Sequence, residues 1–319
     1  MSGGIQAGRR CGFVAVIGAP NAGKSTLVNA LVGGKVSIVT HKVQTTRMQV
    51  RGVALCGSTQ IVFIDTPGIF APRRRLDRAM VEAAWSGAAA ADLVVLVVDA
   101  PLYAEARLRG ASSNQARLSA DDTERIIDGL EEAGRKAILV LNKIDSIGRE
   151  KLLAVTAKLN ERPVFTDTFM ISALTGDGVD DVKRAVAARL PEGPWLYPED
   201  QLADLPQRLL AAELTREKLT LRLHDELPYQ STVETESWKD FKDGSVRIEQ
   251  VITVARQSQK PIVLGRKGQT IREIGAAARA EMEAVFGRRV HLFLFVKVRE
   301  GWADDPARFR ELGLDYPKT

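Results

Sequence analysis

Cysteine is nearly absent, with two residues in 319, Cys11 and Cys56. Two thiols cannot build a disulfide framework, and no Cys/His spacing suggests zinc. Histidine is as scarce. His41, His224 and His291 are scattered, which argues against a histidine metal centre. No apolar run approaches the roughly 20 residues that a membrane helix needs. The longest uncharged one, residues 93–98, is far shorter. Charge of one sign is also lacking: 45 basic and 40 acidic side chains leave +5. So mild an excess fits RNA or anionic lipid and identifies neither. Arg9 and Arg10 precede the apolar residues 13–17, which loosely imitates a secretory signal. The run is too short for one and leads into Pro20, Asn21 and Lys24, so it reads as a first strand. With no export signal, a reducing cytoplasm is the expected setting.

What is present suffices for ordinary cores: 45% of residues are hydrophobic and 27% charged. At roughly 150 residues per domain the length suggests about two domains. Across residues 1–190, Val- and Ile-rich runs (13–17, 61–65, 93–99, 137–142, 165–171) alternate with helical patterns (25–32, 76–90, 122–133, 150–160, 179–190). The runs mostly lack period-2 alternation, as expected of strands buried on both faces of a largely parallel sheet. Residues 50–55 read as an edge strand antiparallel to 61–65. The fold class expected is a doubly wound α/β domain. Residues 104–120, rich in Ala, Arg and Ser, read as a solvated loop insertion.

Pro191, Pro194, Pro198 and Pro206 cluster, so 191–206 reads as a linker. Beyond it the pattern changes to a helix (209–223), two strands (231–239, 246–255) around the turn Lys242-Asp243-Gly244, a short helix, a Gly-containing loop, a helix (270–286) and a last strand (290–298). In the first of these strands Val233, Thr235 and Ser237 alternate with Glu234, Glu236 and Trp238, as in an antiparallel strand with one wet face. The order α-β-β-α-α-β makes 207–319 a smaller α+β domain with a C-terminal tail.

Three motifs carry chemistry in the first domain. Gly18-Ala19-Pro20-Asn21-Ala22-Gly23-Lys24-Ser25 matches G-x-x-x-x-G-K-[ST] between an expected strand and an expected helix. In such a loop backbone N–H groups and a helix N-terminus face a phosphate. Lys24 supplies charge to the β- and γ-phosphates, and Ser25, followed by Thr26, supplies a hydroxyl to Mg²⁺. Asp65-Thr66-Pro67-Gly68 ends a buried strand, where Asp65 can reach Mg²⁺ through water and Gly68 can turn its N–H to the γ-phosphate. Asn142-Lys143-Ile144-Asp145 ends another. A carboxylate at Asp145 accepts from both N1–H and the 2-amino group of guanine, and adenine lacks that donor pair. Asn142 can hold the loop, and the Lys143 stem can pack along the base. Ser172-Ala173-Leu174 ends the next strand and can point a backbone N–H at guanine O6.

In order and spacing these boxes resemble the Ras-like, translation-factor-type GTPases, and in detail the bacterial Era family. Val43-Gln44-Thr45-Thr46-Arg47 is similar to the first switch of that family. The resemblance implies Thr46 as a Mg²⁺ ligand, with Thr45 as the alternative, and Lys24, Thr46 and Gly68 as the catalytic set. Asn21 is similar to the asparagine that supports a K⁺ ion in some relatives; a turn-stabilising role is the simpler view. One departure stands out. Ile69 occupies the place where Ras-type enzymes carry a water-positioning glutamine, so hydrolysis is expected to be slow without a partner.

Gly265-Arg266-Lys267-Gly268, in the α-β-β-α-α-β order, resembles the clamp loop of a KH domain, which holds the backbone of about four single-stranded nucleotides. Arg266, Lys267 and Arg272 would face phosphate. From Arg256 to Arg299 there are ten Lys/Arg against three acids. Ile262, Val263, Ile271 and Ile274 read as core rather than as base-stacking residues, although some could do both in a KH groove. The family implies a monomeric GTP-hydrolysing switch that binds 16S ribosomal RNA near its 3′ end, acts in 30S subunit maturation and attaches peripherally to the inner membrane. A constitutive RNA clamp with a structural GTP site is the alternative, and Asp145 argues against a P-loop ATPase or kinase.

Overall fold

The computed structural model describes residues 8–42, 45–108, 113–224 and 226–317, so Val43 and Gln44 of the first switch lie outside the described residues. It divides into two units. The first comprises residues 1–37, 46–204 and 313–319, and the second residues 38–45 and 205–312.

The first unit contains β1 (Arg10–Ile17), α1 (Lys24–Val32), β2 (Val50–Cys56), β3 (Thr59–Asp65), α2 (Arg75–Ala90), β4 (Leu93–Asp99), α3 (Ala100–Leu108), α4 (Asn114–Glu132), β5 (Ala137–Asn142), α5 (Arg149–Asn160), β6 (Phe165–Met170) and α6 (Val179–Ala187). The sheet order is β2-β3-β1-β4-β5-β6. β2 alone runs antiparallel, against β3. β3 and β5 are buried at every position, which explains their unbroken apolar runs. β1 has β3 on one side and β4 on the other, so the chain direction of winding reverses there. Loops at the carboxyl ends of such strands form the ligand crevice of doubly wound sheets.

The 104–120 stretch is not a solvated loop. α3 and α4 fill most of it, with Tyr103, Ala104, Ala116 and Ala120 in the core and Ser113 Oγ accepting from the Ala116 N–H (3.1 Å) as the helix cap. Small apolar residues three or four apart carry that packing, and the surrounding Arg and Ser disguised it. Residues 109–112 lie outside the described residues. The proline-rich stretch, for its part, runs along the first unit. The Val53 N–H donates to Leu202 O (2.8 Å) and the Asp204 N–H to Arg51 O (3.0 Å), which satisfies the outward groups of edge strand β2. Gln60 accepts the N–H groups of Leu196 and Tyr197 through its Oε1.

The second unit contains α7 (Gln207–Arg222), β7 (Ser231–Asp240), β8 (Val246–Val254), α8 (Lys260–Leu264), α9 (Gln269–Phe286), β9 (Val290–Val298) and α10 (Pro306–Glu311). β7 and β8 pair antiparallel, β8 and β9 parallel. Leu219, Val263, Ile274 and Ile252 are among the residues of one apolar cluster; Leu214, Ile248, Ala278 and Met282 belong to another. Trp238 is not on the wet face with Glu234. A bulge between Thr235 and Ser237 reverses the alternation, and Trp238 meets the Phe286 ring edge-on at 5.8 Å. Ile262, expected in the core, is exposed.

Residues 38–42 and Thr45 pack in this second unit although they follow α1 in sequence. Ile38 joins the cluster of Leu210 and Leu214. The Val39 N–H donates to Glu217 Oε1 (2.7 Å), and Arg216 donates to Thr45 O while its guanidinium is paired with Glu213.

Candidate functional site

The loop from Gly18 to Gly23 leaves β1 and closes onto α1. Asn21 adopts a left-handed backbone at φ 62°. Gly23 has φ 100°, and a Cβ there would fall 2.1 Å from Asn142 Nδ2. The second glycine of the motif is thus required by backbone conformation and by contact with the Asn142 loop together. Lys24 is buried and donates through Nζ to Gly18 O (3.1 Å) and Ala19 O (2.9 Å). Burial pushes its ammonium down to about 8, opposed by the nearby Asp65 charge. The Ile69 N–H donates back to Gly18 O (3.1 Å), and its side chain is sealed in the core. No side chain from position 69 reaches the loop.

Ser25, Thr46 and Asp65 come together. Ser25 Oγ donates to Asp65 Oδ2 (2.7 Å) and lies 2.9 Å from Thr46 Oγ1. Asp65 is fully buried at the end of β3, and its other oxygen, Oδ1, has no hydrogen-bond partner among the described residues. Burial raises the Asp65 pKa, opposed by the Ser25 hydroxyl, the Lys24 charge and the hydroxyls of Ser37 and Thr46. An orphaned buried carboxylate oxygen beside two hydroxyls is a donor set that suits a hard divalent cation such as Mg²⁺. Thr66 Oγ1 donates to Val16 O (2.8 Å), which ties the turn at Pro67 and Gly68 to β1. Gly68 abuts Pro20, where an added Cβ would meet its ring at 3.1 Å.

Asn142 binds three loops together. Its Nδ2 donates to Ala22 O (2.9 Å), and its Oδ1 accepts from the N–H groups of Lys143 (2.8 Å) and Ala173 (2.9 Å). Asp145 is exposed, and the hydroxyls of Ser172 and Ser146 hold its carboxyl below the usual range. The expectation for 172–174 shifts accordingly. The N–H of Ser172 is used by Asp177 O and that of Ala173 by Asn142, so Ser172 acts on Asp145 through its hydroxyl. Asp99 was missed. It ends β4, is buried, forms an ion pair with Lys143 and accepts from the Leu102 N–H. An acid closing an apolar strand was the available signal. Ser37, buried and held by Asn29, was missed as well.

In the second unit the 265–268 turn joins α8 to α9. Arg266, Lys267 and Arg272 are exposed. Gly268 has φ 76° and a Cβ there would point into open space, leaving room for a ligand backbone to approach.

Comparison with known proteins agrees with this division. A family model described as 50S ribosome-binding GTPase matches residues 13–143, and a KH domain model matches 226–303. GTPase Era of Rhizobium meliloti is 61% identical over 97% of this chain and 94% of its own length. The chain belongs to the Era family of GTPases. Era of Afipia carboxidovorans is 60% identical over 97% of this chain and 96% of its own. An Aquifex aeolicus Era variant bound to GDP·AlF4⁻ superposes with a TM-score of 0.85 at 38% identity, covering 95% of this chain and 99% of that one. An Era in complex with MgGDPNP and nucleotides 1506–1542 of 16S ribosomal RNA gives the same TM-score and identity, over 96% and 99%. As an Era-family member this chain is a GTPase with a P-loop domain followed by a KH domain. Among its described residues no helix is long and apolar enough to cross a membrane.

Proposed function

We propose that this GTPase is a switch whose nucleotide state governs the binding of 16S ribosomal RNA, near its 3′ end, by the KH unit during 30S subunit maturation. One observation carries the reading: residues 38–42 and Thr45 are built into the KH unit through α7, and the residue after Thr45, Thr46, stands beside Ser25 and Asp65. A change at Thr46 is therefore a change at the end of a segment that α7 holds.

Lys24 places its charge against the β- and γ-phosphates, with the loop N–H groups of 18–25 around them. Ser25, Thr46 and Asp65 would hold Mg²⁺, with Asp65 acting directly or through water. When bound, that ion supplies Lewis-acid charge at the phosphates. Gly68 turns its N–H to the γ-phosphate, and water is the nucleophile. Asn142 orders the loop on which Asp145 reads the guanine edge, and Lys143, braced by Asp99, flanks the base. Asn21 either supports a K⁺ ion or shapes the turn. With Ile69 sealed in the core, no side chain at that position orients water, which supports slow turnover without a partner.

Gly265, Arg266, Lys267, Gly268 and Arg272 would clamp the RNA backbone. The relative bound to a 16S fragment supports this choice of RNA. The cellular setting we infer, a cytoplasmic monomer attached peripherally to the inner membrane, is supported by family resemblance alone.

Phosphate release under multiple turnover, with and without an RNA of nucleotides 1506–1542, tests the reading. RNA is expected to raise the rate in the parent chain. Gly268→Asp should lose that stimulation while keeping GTP affinity within about threefold. Absence of stimulation at any salt concentration would favour the constitutive clamp with a structural GTP site.

A further inference from the structure

The KH unit's sheet has two faces, and α7 and α9 cover only one. On the other, β9 presents His291, Phe293, Phe295 and Lys297 in alternation with the core-facing Leu292, Leu294 and Val296. Register sets Arg247 beside His291, Glu249 beside Phe293 and Val251 beside Phe295. The end of this face near Glu234 is occupied: Arg308 of α10 pairs with Glu234, and Val251 and Thr253 are buried. The end near β9 is open. Phe293 is 43% exposed, Phe295 50% and Phe241 39%, and no other phenylalanine of the described residues is as exposed. An aromatic row so concentrated is unlike the singly scattered apolar residues of an ordinary surface.

The row is laced with cations. Arg247 lies over the Phe293 ring at 4.6 Å, Lys239 over Phe241 at 5.7 Å, and Phe241 meets His291 edge-on at 6.2 Å. Glu249 and Glu236 pair with Arg247 and Lys297, but these pairs are partly solvent-exposed and hold their cations weakly. Phe293 and Phe295 stand about 6.6 Å apart along the strand, on the same side. Rings on successive outward positions of a strand, with cations between them, are the arrangement on which single-stranded bases stack while phosphates are neutralised.

We propose that this aromatic sheet face is a second RNA surface, on which unpaired bases stack on Phe293 and Phe295 while Arg247, Lys239 and Lys297 meet the backbone. It is separate from the 265–268 clamp, which lies at the α8–α9 junction. This rests on the RNA reading above and extends it from a clamp of a few nucleotides to a longer single-stranded track.

The test uses the full chain with a GTP analogue and RNA of nucleotides 1506–1542, read by fluorescence anisotropy. Phe293→Ala with Phe295→Ala should weaken binding roughly 10- to 100-fold. The paired Tyr substitutions should stay within about threefold of the parent, and basal GTP turnover should not change. The same RNA carrying 5-bromouridine should photocross-link to Phe293 or Phe295 by mass spectrometry, a readout that survives if the Ala pair fails to fold. Parent-like affinity of a folded Ala pair, with no such cross-link, overturns the proposal. Loss of binding to phosphatidylglycerol/phosphatidylethanolamine vesicles with RNA affinity intact overturns it too, making the face a lipid contact. Failure of the parent chain to bind the RNA at all would instead remove the RNA reading itself.

Discussion

Asp145→Asn is expected to exchange the base that this protein accepts. The carboxylate is oriented by Ser172 and Ser146 and stands on a loop that Asn142 ties to the phosphate loop and to Ala173. As an anion it can only accept, which suits the two donors of guanine. An amide offers one acceptor and one donor, which suits xanthine, with N1–H beside a carbonyl. Guanine nucleotide affinity should fall at least about 100-fold while xanthine nucleotides gain. Competition of labelled GDP by GTP, XTP and ATP reads this directly. Retained guanine preference would remove Asp145 from the base site. Displacement of GDP by ATP from the parent chain as readily as by GTP would undo the guanine assignment altogether.

Lys24→Ala is expected to abolish nucleotide binding at micromolar protein concentrations. In the parent chain this buried ammonium is stapled to the carbonyls of Gly18 and Ala19 and stands near the buried Asp65 charge. Without it the site would present a triphosphate with a carboxylate and no fixed cation from the loop. Losing charge-assisted bonds of about 3 kcal/mol alone corresponds to roughly 100-fold, before repulsion from Asp65 is added. Calorimetric titration with GDP and Mg²⁺ measures the loss. Binding within tenfold of the parent would mean that the loop amides, not Lys24, carry the phosphates.

How much of this could be read from residues alone follows from the range of the interactions. The phosphate loop, the Asp65 turn and the Asn142 loop were legible because each is a short motif at the end of an apolar run, and sheet β1–β6 appeared in the expected places. The reasons behind them were not legible. Gly23 answers to Asn142, which is 119 positions away in sequence. Asp99 braces Lys143 across neighbouring strands, and its acid looked like any strand end. The bulge that turns Trp238 inward interrupts period-2 alternation that otherwise reads smoothly. Helix α3 and the first turns of α4 were hidden because alanine, not leucine or isoleucine, supplies much of their buried face. Membership of 38–42 and Thr45 in the KH unit depends on Glu217 and Arg216, far along the chain, and no local pattern announces it.

In the proposed switch that last feature would link nucleotide to RNA, and one titration reads it most directly: affinity for an RNA of nucleotides 1506–1542, measured on the same preparation with Mg²⁺ and either GDP or a non-hydrolysable GTP analogue. The triphosphate state is expected to change RNA affinity by about 5- to 150-fold relative to GDP, the range of a 1–3 kcal/mol coupling. By reciprocity, RNA must then shift the preference for the analogue over GDP by the same factor. Equal RNA affinity in both states, with both nucleotides saturating, would contradict the switch and leave a GTPase and an RNA-binding domain that merely share a chain.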